Sequence, residues 1–306
     1  MKPWLAMCLL LLTVLARAET ISFAAIGDTP YSARERTQLP GMLNDIADSG
    51  VDFVVHIGDI KGGQERCDDN LFVDRLRLFD ASRLPFIYVP GDNEWTDCDR
   101  LSNGSYDPLE RLNKLRSLFW PFPETLGQKR FRVERQLGAS YPEHFRFKRG
   151  GVLFVSLNIP GSNNNWGMTE VPSAEFQQRN PVVLIWMKDS FAQARAEKLS
   201  AIVLLFQANP GFKHYAQGLS HQGYAEFLNL LRKETSGFDG EVIAVHGDTH
   251  ISRVDHPMLA ANGKAITSFT RVETFGYPYM GWTKLSIDPD AASKVRIEQH
   301  PYPKGK

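Results

Sequence analysis

The chain carries no surplus charge of either sign: 35 Lys and Arg stand against 35 Asp and Glu over 306 residues, a formal net charge of zero. Such a balance leaves no electrostatic footprint for nucleic acid or for an anionic membrane. Internal repeats, low-complexity runs and a linker that would divide the chain are absent too. One domain over residues 19–306 is therefore expected, and a chain of this length buries a full core.

Long apolar runs are also missing. The stretch Trp4–Leu15 is too short to span a bilayer. Preceded by Lys2 and followed by Ala16-Arg17-Ala18, it has the layout of an export signal over residues 1–18, cleaved after Ala18. A lipoprotein signal at Leu5-Ala6-Met7-Cys8 fits poorly, because Cys8 sits inside the apolar run. The mature chain is thus expected in the periplasm or outside the cell, with no stable membrane anchor.

Cysteine is scarce, with three residues, and Cys8 leaves with the signal. Cys67 and Cys98 remain, either as a disulfide favoured by an oxidising compartment or as two free thiols. Bridged, they close a loop worth about 3–4 kcal/mol in the chain-entropy model. The bridge would also tie together two of the loops described next.

What is present is an ordinary soluble composition, 42% hydrophobic and 23% charged, and one local pattern used four times. A short β-prone run ends in Gly-Asp at Gly27-Asp28, Gly58-Asp59, Gly91-Asp92 and Gly247-Asp248. Strand ends of open α/β sheets are where ligand chemistry gathers. Taken singly, each Gly-Asp is an ordinary turn or a helix cap. Four carboxylates delivered to one sheet edge would repel one another and stay partly protonated unless a cation joined them. Oxygen-rich donor sets suit Mg²⁺, Mn²⁺ or Ca²⁺, and an imidazole such as His250 admits Zn²⁺ and Fe.

Along the chain, strands are predicted at Ile21–Ile26, Asp52–Ile57 and Pro85–Val89, with helices at Arg34–Ser49 and Asn70–Phe79 between them. Pro40 is awkward inside the first helix and would mark a later start for it. The order βαβαβ predicts a mainly parallel sheet. Asp107 caps a helix that begins at Pro108. Residues 121–138 are irregular and basic, a surface loop or a rim for an anionic substrate. Tyr141–Lys148 and Gly151–Leu157 form an antiparallel pair, and a long polar loop covers residues 158–180. A helix at Pro181–Lys198, the strand Ala201–Phe206, a helix at Gln222–Thr235 and the strand Glu241–Val245 follow. Beyond them, Ile251–Val254, Ala265–Thr270 and Thr283–Ile287 are expected as an antiparallel second sheet.

With these motifs in order, the chain resembles the calcineurin-like metallophosphoesterases, the superfamily that includes purple acid phosphatases. The resemblance spans nearly all of the mature chain. It implies an α/β fold, a four-layer αββα sandwich of two mixed β-sheets packed face to face with flanking helices. It also implies one or two divalent metal ions (Mg, Mn, Fe or Zn) and hydrolysis of a phosphate mono- or diester on a small phosphorylated substrate.

Residue by residue, the resemblance makes Asp28 a first metal ligand and Asp59 the carboxylate bridging two metals. Pro30 stands where the family has His, so Tyr31 or a water must substitute. Asp92 stands for a ligating Asn, Asn93 for the His that contacts phosphate, and Glu94 matches an acidic position. Gln207 falls where a His ligand is expected, Asp248 replaces the first His of the last motif, and His250 matches the second. The metal set is thus Asp28, Asp59, Asp92, Gln207, Asp248 and His250. Tyr31, Asn93 and Asn158 are the substrate-binding candidates. With Asn93 unable to protonate a leaving group, His246 or His214 is the candidate acid, against their plain roles as core and surface histidines. The alternative is a non-catalytic relative that binds a metal or a phosphorylated ligand.

Overall fold

A computed structural model of the chain describes residues 19–136, 140–291 and 293–303. The expected export signal lies outside the described residues. Among them no helix is long and apolar enough to cross a membrane.

Two mixed sheets form the body. β1 (Ile21–Ile26), β2 (Phe53–His56) and β3 (Phe86–Tyr88) run parallel, joined by α1 (Ala33–Asp48) and α2 (Asp69–Asp80). β11 (Gly281–Ile287) returns antiparallel to β1, and β12 (Val295–Pro301) pairs along the whole of β11. This sheet has five strands in the order β12-β11-β1-β2-β3. The other has seven, ordered β4-β5-β6-β7-β8-β10-β9, from β4 (Glu134–Arg135), β5 (Phe145–Arg149), β6 (Val152–Ser156), β7 (Ala201–Leu205), β8 (Glu241–His246), β9 (Arg253–Asp255) and β10 (Phe269–Glu273). Its four strands β6, β7, β8 and β10 are parallel.

Strand alternation assigns the two faces of the seven-stranded sheet. Val152, Phe154, Ala201, Val203, Leu205, Ile243 and Val245 belong to the core shared with the five-stranded sheet. The contact is aromatic: Phe154 meets Phe23 and Phe53 edge-on, with ring centres 5.3 and 5.2 Å apart. Leu153, Val155, Ile202, Leu204, Val242 and Ala244 point the other way. There they bury the apolar faces of α4 (Ala174–Ala196) and α6 (Gln222–Ser236), with the short helix α5 (Phe212–Ala216) nearby. On the far side α3 (Pro108–Phe119) packs by α2, and Asp107 caps it as expected, accepting from Glu110 N–H at 2.8 Å.

Several boundaries differ from the sequence expectation. α1 begins at Ala33, capped by Ser32, and runs through Pro40. Pro40 is exposed, so the carbonyl one turn earlier that loses its N–H partner stays open to water. α4 starts at Ala174 under a Ser173 cap and contains Pro181, so the preceding loop is shorter than predicted. The C-terminal strands do not make a sheet of their own. β10 is fully buried and extends the seven-stranded sheet parallel to β8, while β11 and β12 complete the five-stranded one. β10 still pairs with its chain neighbour β9, so its two edges take one distant and one local partner. The basic segment after residue 121 is surface loop: Leu126 bridges Phe86 at the start of β3, away from the strand end, and Arg130 pairs with Asp80 at 2.8 Å.

Cys67 and Cys98 form a disulfide, with Cα atoms 5.8 Å apart. It joins the loop after β2 to the loop after β3.

Candidate active site

Each parallel strand ends in an abrupt turn. Asp28, Asp59 and Asp248 adopt left-handed backbone, with φ of +49°, +58° and +84°. The left-handed region disfavours side-chain-bearing residues by about 1–2 kcal/mol each, least for Asp and Asn. Such strain collects at functional sites. The turns at Asp59 and Asp28 swing the carboxylate onto a glycine that follows another strand. A Cβ on Gly91 would lie 2.1 Å from Asp59 Oδ1, and one on Gly247 would lie 2.2 Å from Asp28 Oδ2. Gly91 and Gly247 thus each seat another strand's carboxylate, whereas Gly27 faces Thr274 and Gly58 faces the Gly91 backbone.

Glu94 locks the turns after β2 and β3. Its buried Oε1 accepts from the N–H of Gly91 at 2.7 Å, the N–H of Asp59 at 3.1 Å and the hydroxyl of Tyr88 at 2.7 Å. Asp59 in turn accepts from Tyr31 Oη at 2.7 Å and from Asn93, through Nδ2 at 3.0 Å and backbone N–H at 3.2 Å. Asn93 Nδ2 also reaches Tyr31 Oη at 2.8 Å, so Tyr31, Asp59 and Asn93 form a closed triangle. Both Asp28 oxygens lie 3.1 Å from the N–H of Asp248, and His250 Nε2 stands 3.7 Å from Asp28 Oδ1. Asp248 Oδ2 accepts from Asn209 N–H at 2.8 Å.

The electrostatics are those of crowded carboxylates. Burial, then the charge of Asp248, holds the Asp28 carboxyl well above its usual range. Burial, then Asp92, Glu94 and Asp28, does the same to Asp59. Burial followed by Asp92 pushes Asp248 up to about 7. No Lys or Arg among the described residues makes an ion pair with Asp28, Asp59, Asp92 or Asp248. Lys61, within electrostatic reach of Glu94 and Asp59, is fully buried, and burial lowers its pKa; its Nζ donates to the Gly62 carbonyl at 3.1 Å.

The structure thus brings together Asp28, Asp59, Asp92, Asp248, His250, Tyr31 and Asn93. Gln207 stands at the same edge: its Oε1 accepts from Gly161 N–H at 2.5 Å, and Gly161 lies against the Asp92 carboxylate. Two expected site residues are elsewhere. Asn158 is buried in a structural network, donating to Glu143 Oε1 at 3.1 Å and accepting at its carbonyl from Arg179. His246 is a core histidine stacked on Phe206, and burial lowers its pKa to about 3. His214 is exposed on α5.

Four residues were missed from sequence. Lys61 carried no signal beyond adjacency to Asp59. Asp97 is buried beside Asp92 and pushed up to about 6, by burial first and then by Asp92. Ser162 lies 2.9 Å from both Asp92 Oδ2 and Asp97 Oδ1. Tyr277 stacks on Tyr31 with ring centres 5.9 Å apart and donates its N–H to the Asp28 carbonyl.

Mixed sheets with helices outside, and carboxylates gathered at the strand ends, define the class. A family profile described as calcineurin-like phosphoesterase matches residues 21–252, and the chain belongs to that family. Among solved structures, a dimetal phosphatase from Danio rerio superposes with a TM-score of 0.57 at 11% identity, covering 94% of this chain and 98% of its own. A purple acid phosphatase from yellow lupin seeds gives 0.55 at 14% identity, covering 95% of this chain and 53% of its own. At these identities the two establish the fold alone. Compared by sequence with curated proteins, the chain matches none.

Calcineurin-like phosphoesterases typically work with divalent metals. Among the described residues no three His, Cys, Asp or Glu side chains stand in ready metal-binding geometry. The donor set nevertheless fits a hard cation. Its carboxylates are buried without ion pairs, which a bound cation would relieve. Gln207 is fully buried at the same edge. Where family members place His and Asn, this chain offers carboxylate and amide oxygens, which favour harder cations.

Proposed function

We propose that the protein is an exported phosphoesterase that depends on a divalent cation and hydrolyses a mono- or diester of a small phosphorylated substrate. The observation that carries the proposal is the meeting of four aspartates, up to 220 residues apart, in a buried cluster without a paired cation. The Cys67–Cys98 bridge supports an oxidising compartment and hence export.

Asp28, Asp59 and His250 would hold a cation on one side; Asp92, Gln207 and Asp248 offer oxygens on the other. When bound, the cation supplies an acidified water and polarises a phosphoryl oxygen. Tyr31 fixes the orientation of Asp59, and Asn93 holds its amide N–H groups beside the same carboxylate. Asn93 occupies the position where the family has an imidazole, and His246 is a buried core residue, so neither supplies a proton to the leaving group. Esters with good leaving groups are therefore the better substrates.

The test starts from the mature chain stripped by chelator. p-Nitrophenyl phosphate and bis-p-nitrophenyl phosphate are assayed with Mg²⁺, Mn²⁺, Zn²⁺ and Fe²⁺ restored one at a time. Turnover recovered by metal and lost in Asp59→Asn is the expected result. Metal uptake by calorimetry with no turnover of either ester overturns the enzyme and leaves the second reading, a non-catalytic binder. That reading is favoured by the absence of an acid at Asn93.

A further inference from the structure

After β6 the chain enters a turn of unusual backbone. Ser162, Asn163, Asn164 and Asn165 are consecutively left-handed, with φ of +50°, +56°, +56° and +55°. No glycine relieves any of the four, and L-residues enter that region as single positions rather than in runs. Something must hold the turn, and buried side chains do. Arg179 of α4 donates to Asn164 Oδ1 and to its carbonyl, both at 2.9 Å. Asn164 Nδ2 donates to Gly223 O at 2.8 Å, and Asn163 Oδ1 accepts from Gly223 N–H at 3.1 Å, so the start of α6 grips the other side. Asn165 Nδ2 closes onto Glu175 at 2.8 Å.

A surface connection has no need of such a conformation. What the turn delivers lies at its leading end. Gly161 presents its N–H to the buried Gln207 Oε1 at 2.5 Å. Gly161 also packs so close to Asp92 that a Cβ there would come within 2.6 Å of Oδ2. Ser162 then sets its hydroxyl 2.9 Å from both Asp92 Oδ2 and Asp97 Oδ1. A serine hydroxyl has one proton to give. Asp97 is already served by Arg100, 2.7 Å away, whereas Ser162 is the one side-chain donor to the Asp92 carboxylate among the described residues.

We infer that Ser162 is a positioning residue, and that the strained turn 161–165 is a clasp orienting Asp92 toward the cation site. The inference rests on the cation-dependent reading above and adds to it how this half of the site is held.

The experiment uses the whole mature chain, metal-free, titrated with Mn²⁺ by calorimetry, with urea unfolding run on every variant. Ser162→Gly accepts the left-handed backbone without strain and removes only the hydroxyl. It is expected to weaken Mn²⁺ binding about 10–100-fold, the range for loss of an outer hydrogen bond to a metal ligand, while remaining folded. Ser162→Ala is expected to lose affinity similarly. Ser162→Thr keeps the hydroxyl but is β-branched at positive φ, so it is expected to be less stable and yet to recover most of the affinity. A purely structural role would make affinity follow stability. Wild-type affinity in Ser162→Gly overturns the inference and leaves the cation reading standing. Failure of the wild-type chain to take up Mn²⁺ overturns the cation reading, and the inference with it.

Discussion

Replacing Asp248 by Asn neutralises one carboxylate while keeping an oxygen for the Asn209 N–H. Burial, followed by the charge of Asp92, pushes the Asp248 carboxyl from 3.8 to about 7. A carboxyl raised in the folded state binds more protons folded than unfolded between those two values. Stability then falls as pH rises through the window and stays low above it. The span from 3.8 to about 7 corresponds to about 4 kcal/mol. Asp28 and Asp59 act in the same direction, while ion-paired carboxylates such as Asp74, held low first by Arg36, act oppositely. The readout is therefore the difference between the wild-type chain and Asp248→Asn, taken from urea unfolding of metal-free protein across pH. The two are expected to be equally stable near pH 4, with the variant ahead by about 3–4 kcal/mol near pH 8. Mn²⁺ should narrow the gap near pH 8, because a bound cation relieves the repulsion in the wild type and has less to relieve in the variant. A variant no more stable than wild type near pH 8 refutes the reasoning.

Two further outcomes are expected. Tyr31→Phe removes the donor to Asp59 and the acceptor of Asn93, costing about 1.5–3 kcal/mol in urea unfolding; a double-mutant cycle with Asn93→Ala should be non-additive by at least about 0.5 kcal/mol. Asn93→His places an imidazole where the family has one and should raise metal-restored cleavage of alkyl phosphates by about 10–100-fold, changing p-nitrophenyl phosphate less than about threefold. Equal gains on both esters would show that the introduced imidazole does not protonate the leaving group.

Much of the centre was legible in the chain itself because its signal is local. A β-prone run ending in Gly-Asp needs no tertiary information to be recognised, and its recurrence at residues 28, 59, 92 and 248 is a fact of sequence. The order of those motifs carried the resemblance to calcineurin-like phosphoesterases and, with it, the two-sheet fold. Cys67 and Cys98 were the one pair the sequence offered apart from Cys8, as a disulfide or as two free thiols, and the structure bridges them. The helix cap at Asp107 and the strand runs near residues 21, 53 and 241 were equally local.

Folding alone decided what depends on distant partners. The sequence does not say that glycine seats another strand's carboxylate, since the steric conflict exists only once the strands are side by side. His246 and Asn158 carry the right chemistry and lie in the core, because a strand's alternation sets a side chain's face and the neighbouring layer sets what that face meets. β10 pairs with β8 as well as with its chain neighbour β9, while β11 leaves for the other sheet, because hydrogen bonding at an open sheet edge is non-local. Ser162, four residues beyond Asn158 in a polar loop, reaches Asp92 only through a backbone conformation that Arg179 and Gly223 impose from two helices, and no pattern within the loop encodes that.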